Sequence, residues 1–334
     1  MNRGVGARQK TMPRLAVIYH PAKCDLPKVQ AAVSRALLES KDDWADTLWI
    51  PTTEKSPGGE QARDAVAAGA TQLCVVGGDG TLRPVFGAIA GLTSIYGEPI
   101  VLSLIPAGTG NILARNLGLP LNQLLTAARR AINGKITTLD GGKATLNYVD
   151  GQQTTMYFTV LAGVGLDATI MLNTDPKLKS RIGWLAYWDA GFKSLPIEMK
   201  RVNISVDGRP PISKRVVTLL VGNVGFIQLG MALMPLAKLN DGLLDVAVIA
   251  PRKFWHWVHF WSRVTVEAWM FGGTSQGRWL LDKTKDIKTL QNLSGRVIEV
   301  SSESPLNIQI DGDAFGSITS VKFEVLPSAI QFRR

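Results

Sequence analysis

Sulfur and imidazole are scarce in this 334-residue chain, which carries two cysteines and three histidines. Cys24 and Cys74 stand in no disulfide or metal spacing, which excludes a disulfide framework and predicts a reducing, cytoplasmic setting. Cys74 lies inside an apolar run and reads as a small core residue. His20, His256 and His259 form no H-E-x-x-H or comparable pattern, so a zinc centre is excluded as well. The first twelve residues are basic and polar with no apolar h-region; they read as a loose tail, not a signal peptide. One uncharged run, Val216 to Ala237, is nominally long enough to span a bilayer. It contains Gly222, Asn223, Gly225, Gln228, Gly230 and Pro235, and its Val216 to Val221 portion is rich in β-branched residues. A buried strand followed by a glycine turn fits better.

What the chain has in excess is positive charge, 37 Lys and Arg against 27 Asp and Glu, or +10. An acidic partner is implied. Nucleic acid would favour aromatic-basic platforms or a helix dense in Arg and Lys, and neither is present, so nucleic acid is not expected. An anionic membrane surface asks only for positive charge with interfacial aromatics. Phe254 to Phe271 offers these, with Trp255, Trp257, Trp261 and Trp269 following Arg252 and Lys253. The alternative for that segment is a helix buried between domains.

Gly77-Gly78-Asp79-Gly80-Thr81 follows the uncharged run Leu73 to Val76, which reads as a strand buried on both faces. Three glycines in four positions let backbone N–H groups approach a polyanion, and Thr81 adds a hydroxyl at the start of a helix. That helix carries Leu82, Val85, Phe86, Ile89 and Ala90 on one face, with Pro84 placed in its first turn. The spacing fits neither the P-loop nor the Rossmann fingerprint. A glycine turn at the carboxyl end of a buried strand is nevertheless where open α/β sheets bind ligands, so a nucleotide site is expected here; an ordinary β-to-α turn is the plain alternative.

Arg14 to His20 and Asp46 to Ile50 read as further strands, with helices over Pro27 to Ser40 and Glu60 to Ala68. Ile100 to Ile105 leads into a second glycine loop, Pro106 to Asn111, and a helix from Ile112 to Leu117 stopped by Gly118. This alternation predicts a doubly wound parallel-sheet α/β nucleotide domain over residues 13–140. Beyond Asp140 the pattern turns to strands: Lys143 to Tyr148, Thr155 to Leu161, Val202 to Val206, Val216 to Val221, Leu244 to Ile249, Arg296 to Val300 and Leu306 to Ile310. A β-rich, sandwich-like second domain over 141–325 is expected, with helical stretches near Leu178 to Phe192 and Phe254 to Trp269. Residues 326–334 form a tail able to return to the first domain.

These residues together resemble the diacylglycerol kinase catalytic family, lipid kinases akin to sphingosine kinases and, more distantly, NAD kinases. The resemblance is carried by His20-Pro21, where the family has Asn-Pro, and by Thr53-Glu54-Lys55 and the GGDGT turn. It continues through Pro106 to Asn111 with Ala114-Arg115, Leu139-Asp140-Gly141, Gly163 to Asp167, Asn240 to Asp245 and Ile310 to Asp313. It implies ATP and Mg²⁺, with His20, Pro21, Ala22, Lys23, Cys24, Thr53, Gly77, Gly78, Asp79, Gly80, Thr81 and Thr109 around the nucleotide. By the same resemblance Asp79 would orient nucleotide and metal, and Asp140 would belong to a magnesium-linked carboxylate network. Asp241 would ligate a structural magnesium beside the carbonyls of Lys238 and Leu243.

The family base is a Glu in an Asp-Gly-Glu triplet; here the position is Asp313, one methylene shorter. Asp311-Gly312 is also a strong hairpin signal, so a plain turn is the alternative for that triplet. The implied activity is transfer of the ATP γ-phosphate to the hydroxyl of diacylglycerol or a related lipid, at the inner membrane surface, with a homodimer left open. An NAD kinase-like enzyme and a catalytically impaired nucleotide- or lipid-binding protein are the alternatives.

Overall fold

The computed structural model describes residues 12–96, 99–165, 199–227, 233–234, 236–250 and 290–334. The expected tail before residue 12, Leu166 and Asp167, the helical stretches near Leu178 to Phe192 and Phe254 to Trp269 with their tryptophans, and His256 and His259 lie outside the described residues.

Strands β1 (Leu15–Tyr19), β2 (Leu48–Pro51), β3 (Gln72–Gly77) and β4 (Val101–Pro106) pair in parallel in the order β2-β1-β3-β4. Alternation of side chains decides what each face buries. Leu15, Val17, Cys74 and Val76 pack with helices α1 (Leu26–Leu38) and α5 (Leu124–Asn133). Ala16, Ile18, Leu73 and Val75 pack on the opposite face with α2 (Gly59–Ala67) and α3 (Asp79–Tyr96). Burial on both faces is why these strands read as unbroken apolar runs, and the sheet is doubly wound. Leu82, Val85, Phe86 and Ile89 of α3 are essentially inaccessible, and each such side chain contributes roughly 1.5–3 kcal/mol of burial.

Pro84 departs from its expected place. Because α3 begins at Asp79, inside the glycine turn itself, Pro84 is in the second turn and not the first. Its missing N–H leaves the carbonyl of Gly80 without a helical partner. Gly80 is exposed, so water can serve it.

The second half is built of β5 (Ile136–Tyr148), β6 (Gln153–Phe158), β7 (Leu161–Gly165), β8 (Lys200–Val206), β9 (Ile212–Val216), β10 (Thr218–Gly222), β11 (Leu244–Ile249), β12 (Leu290–Gly295), β13 (Val297–Ile310) and β14 (Asp313–Arg333). They pair antiparallel with one another around a core that includes Leu146, Phe158, Val164, Leu219, Val246, Ile308 and Phe323. Phe158 and Phe323 meet edge-to-face at 6.1 Å. The architecture is thus α/β with a β-rich second domain.

Three strand expectations change. The strand placed over Thr155 to Leu161 is broken between β6 and β7. Arg296 to Val300 and Leu306 to Ile310 are one strand, with a register irregularity between Ser301 and Leu306. β14 begins well before the expected tail over 326–334, running from Asp313 to Arg333. It pairs antiparallel with β5 and, through Gln331 to Arg333, parallel with β4. Its Ile318, Val321 and Phe323 lie in the β core while Ile330 and Phe332 lie in the core of the parallel sheet, so a single strand serves both. No helix among the described residues is long and apolar enough to cross a membrane. Within the uncharged run, Thr218–Gly222 is a fully buried strand.

Candidate active site

The two glycine loops lie at the carboxyl ends of β3 and β4 and are built against each other. A Cβ on Gly108 would stand 2.6 Å from Gly78 Cα and 2.8 Å from Asn111 Oδ1, and one on Gly78 would stand 3.0 Å from Gly108 Cα. Both positions need glycine because the backbones touch. Asn111 adopts a left-handed conformation (φ 47°) and turns its amide back onto Gly108, accepting from Gly108 N at 3.1 Å and donating to Gly108 O at 2.6 Å. It therefore cannot cap the helix it precedes, α4 (Ile112–Asn116). Asp79 does so from the other loop: Ile112 N donates to Oδ2 at 2.8 Å and Leu113 N to Oδ1 at 3.2 Å. Burial raises the Asp79 carboxyl above the usual carboxylate range, and these amides work in the opposite direction. Gly108→Ala is expected to cost about 1–3 kcal/mol by overpacking this contact. Urea unfolding would show it as a lowered midpoint at unchanged slope.

Around this junction the sequence-predicted residues divide into two groups. Pro21, Ala22, Lys23, Thr53, Gly80 and Thr109 are exposed, and they stand at the carboxyl ends of β1, β2, β3 and β4 in turn. Among the described residues, nothing beyond its chain neighbours and its own helix backbone lies within 4 Å of where a Cβ on Gly80 would be, so the first turn of α3 is open to an incoming group. Thr81, by contrast, is 3% exposed and sits beneath the turn, where a Cβ on Gly77 would meet its Oγ1 at 3.0 Å. Its hydroxyl shapes the turn from below, a correction to its expected role as an outward donor. His20 keeps its Nδ1 buried without a partner among the described residues, and burial together with Lys23 lowers its pKa, favouring the neutral ring. Beside it a cavity of about 230 Å³ is lined by Lys23, Cys24, Lys28, Pro106 and Ala107 among others. Lys28 is paired there with Asp25 at 2.8 Å, and the backbone donors at a helix start together with Lys23 suit a phosphate-bearing ligand.

The β13–β14 turn faces this junction. Asp311 (φ 46°) and Gly312 (φ 86°) are both left-handed and Ile310 pairs with Asp313, the geometry of a two-residue hairpin turn. The hairpin reading of this triplet is therefore correct, but the turn is not merely a turn. The break between β6 and β7 frees the amides of Thr159, Val160 and Leu161, and all three donate to the Asp311 carboxylate at 2.9–3.0 Å. Desolvation nevertheless pushes Asp311 up to about 6, with Asp79 adding to the rise and Arg83 opposing it. Asp313, half exposed, accepts from Arg83 Nη2 at 2.7 Å. Asp79, Arg83, Asp311 and Asp313 thus form one charged group, with α3 on one side and the hairpin on the other. Arg83 drew no notice in the sequence, since an isolated arginine beside Pro84 carries no local signal.

Asp140 is held elsewhere. It is 3% exposed, and its two oxygens accept from Ser328 N and Gly242 N, each at 2.7 Å. Its own amide donates to Leu239 O, and its carbonyl accepts from Asn223 Nδ2. The carboxylate ties β5, β14 and the 239–242 loop together and touches none of the four charged groups above. In that loop Asp241 is exposed, with Oδ1 accepting from Leu243 N at 3.2 Å. Burial and the Asp241 charge push Asp245 up to about 6. Two carboxylates in mutual repulsion, with the Lys238 and Leu243 carbonyls nearby in sequence, make an oxygen donor set that a hard cation would relieve. No cluster of three or more His, Cys, Asp or Glu side chains exists among the described residues, so such a site would draw partly on carbonyls.

Comparison with known proteins shows the family and the fold. Residues 14–144 match the model of the diacylglycerol kinase catalytic domain, and residues 160–333 match that of the YegS C-terminal, NAD kinase β-sandwich-like domain. The chain is 31% identical to a diacylglycerol kinase of Bacillus subtilis over 71% of its own length and 74% of the relative's. It is 28% identical to a diacylglycerol kinase of Staphylococcus saprophyticus, covering 91% and 90% of the two chains. A crystal structure of a diacylglycerol kinase from Bacillus anthracis superposes with a TM-score of 0.64 at 19% identity over 97% of this chain and 98% of that one, which shows the shared fold. The chain belongs to the diacylglycerol kinase family of lipid kinases, with the YegS-type C-terminal domain.

Proposed function

We propose that the protein is an ATP-dependent lipid kinase that transfers the γ-phosphate to the hydroxyl of diacylglycerol or a related lipid. The observation that carries this reading is the 2.7 Å contact between Arg83, four residues after Asp79, and Asp313. It brings the glycine junction that suits a nucleotide within about one helical turn of a half-exposed carboxylate that suits an acceptor hydroxyl. Phosphoryl transfer needs in-line positioning and charge neutralisation more than covalent chemistry. In this reading the open start of α3, His20 to Cys24, Thr53 and Thr109 hold ATP, Asp79 sets the spacing of the two loops, and Asp313 Oδ takes the hydroxyl proton as the lipid oxygen attacks. A divalent ion such as Mg²⁺ neutralises phosphate charge when bound, and Asp241 with the Lys238 and Leu243 carbonyls would hold a structural one. The +10 charge supports work at an anionic, cytoplasmic membrane face, where the acyl chains of the substrate remain.

Incubation with labelled ATP against a panel of diacylglycerol, other lipid alcohols and NAD tests the reading. A labelled phospholipid supports it; labelled NADP, or nucleotide binding without turnover, replaces it with the NAD kinase-like or the impaired-binder alternative. The metal assignment has its own check. Addition of millimolar Mg²⁺ to chelator-stripped protein is expected to raise the melting temperature by a few degrees through linkage, and Asp241→Ala should erase that response.

A further inference from the structure

Arg83 has a feature that packing does not explain. Its side chain is 12% exposed, its guanidinium lies 5.1 Å from the centre of the Phe315 ring, and its buried Nε has no hydrogen-bond partner among the described residues. Desolvating a guanidinium with one donor edge unmet is unfavourable, and an ion pair buried on one side only is weak support for stability, since an apolar side chain of similar volume commonly serves as well. The geometry points to a different use. We propose that Arg83 is a positioning residue for phosphoryl transfer, a strap from α3 that fixes Asp313 relative to the glycine junction. The inference rests on the reading of Asp313 as the base.

Its parts follow from the surroundings. One helical turn separates Arg83 from Asp79, so the strap and the nucleotide loop share one rigid element. Phe315, two residues beyond Asp313 on β14, flanks the guanidinium plane and limits its rotamers. The charged groups facing this point are Asp79 and Arg83 from α3, Arg115 from α4, and Asp311 and Asp313 from the hairpin. Arg83 pulls Asp311 downward in pH. Withdrawing its charge would let Asp311 take up its proton at higher pH, and the acid limb of the rate profile would move the same way. A lysine cannot replace it, because an ammonium lacks the plane that stacks and the fork that bonds sideways.

The test compares wild type, Arg83→Met, Arg83→Lys and Asp313→Asn, each with a cooperative melt, for kcat, KM for ATP and the pH profile of kcat with dioleoylglycerol in mixed micelles. Arg83→Met is expected to lower kcat about 100-fold with KM for ATP within about 2-fold, and to move the acid limb of the profile to higher pH. Arg83→Lys should recover less than about a tenth of the wild-type kcat. Should Arg83→Met fail to fold, Arg83→Gln carries the same expectations. Wild-type kcat and an unmoved limb in Arg83→Met, or full rescue by lysine, beside an inactive Asp313→Asn, would overturn the strap and leave the base standing. An active Asp313→Asn would overturn the base, and the strap with it.

Discussion

Asp313→Asn is expected to lower lipid phosphorylation by about 10²–10⁴-fold, the range that a positioned general base contributes, whereas Asp313→Glu should stay active. Asparagine keeps the shape of the hairpin and an acceptor for Arg83 Nη2, but it has no basic oxygen for the hydroxyl proton. Glutamate keeps the carboxylate and extends it by one methylene toward the cleft. The backbone on either side is well fixed: Gly312 N donates to Gln309 Oε1 at 2.8 Å, and Asp311 is anchored by three amides. Both variants should therefore melt close to wild type. Equal activity in the two would return the triplet to a structural turn and remove the base from the mechanism.

Asp79→Asn is expected to be comparably damaging for a different reason. The wild-type carboxylate receives one amide on each oxygen, Ile112 N on Oδ2 and Leu113 N on Oδ1. A carboxamide presents one oxygen and one NH₂ group, so one of the two α4 amides would face another donor. The start of α4 must then shift, and Gly108 to Asn111, packed on Gly78, shift with it. Loss of the cap costs about 0.5–2 kcal/mol of stability. The larger consequence is on turnover: displacement of the phosphate-facing loops by about 1 Å can cost roughly 10²-fold. ATP affinity by calorimetry should fall together with kcat. An Asp79→Asn enzyme that phosphorylates lipid at an undiminished rate would sink the assigned role.

Much of the nucleotide half was legible in the sequence because its signals are local. The unbroken apolar runs of β1 and β3, the 3.6-residue face of α3 and the glycine stop at Gly118 each involve residues a few positions apart. β1 to β4, α1, α2 and α4 end within two residues of their expected bounds, whereas α5 had no counterpart in the sequence reading. Pro84 was misplaced because the helix starts inside the turn, and that depends on what Asp79 caps. In the β half, strands that alternate cleanly were found, but of β14 only the tail over 326–334 was expected. Its Pro327 and Ser328 kink lies where register shifts between Leu326 and Ile330, and polar edges there look like loop.

The candidate site divides in the same way. The chain itself identified the glycine loops and the hairpin dipeptide, since each is a short motif whose backbone demands name its residues, whereas Asp313 came only through the resemblance to a family. The tertiary structure alone decided that Asp79 caps a helix 33 residues away, that Asp311 replaces the strand partners missing at Thr159 to Leu161, and that Arg83 meets Asp313 across 230 positions. It also drew Asp140 aside into a buried tie between β5, β14 and the 239–242 loop. Hydrogen bonds and ion pairs of this kind leave no periodicity in a sequence, because a carboxylate accepts from any amide that folding brings to it.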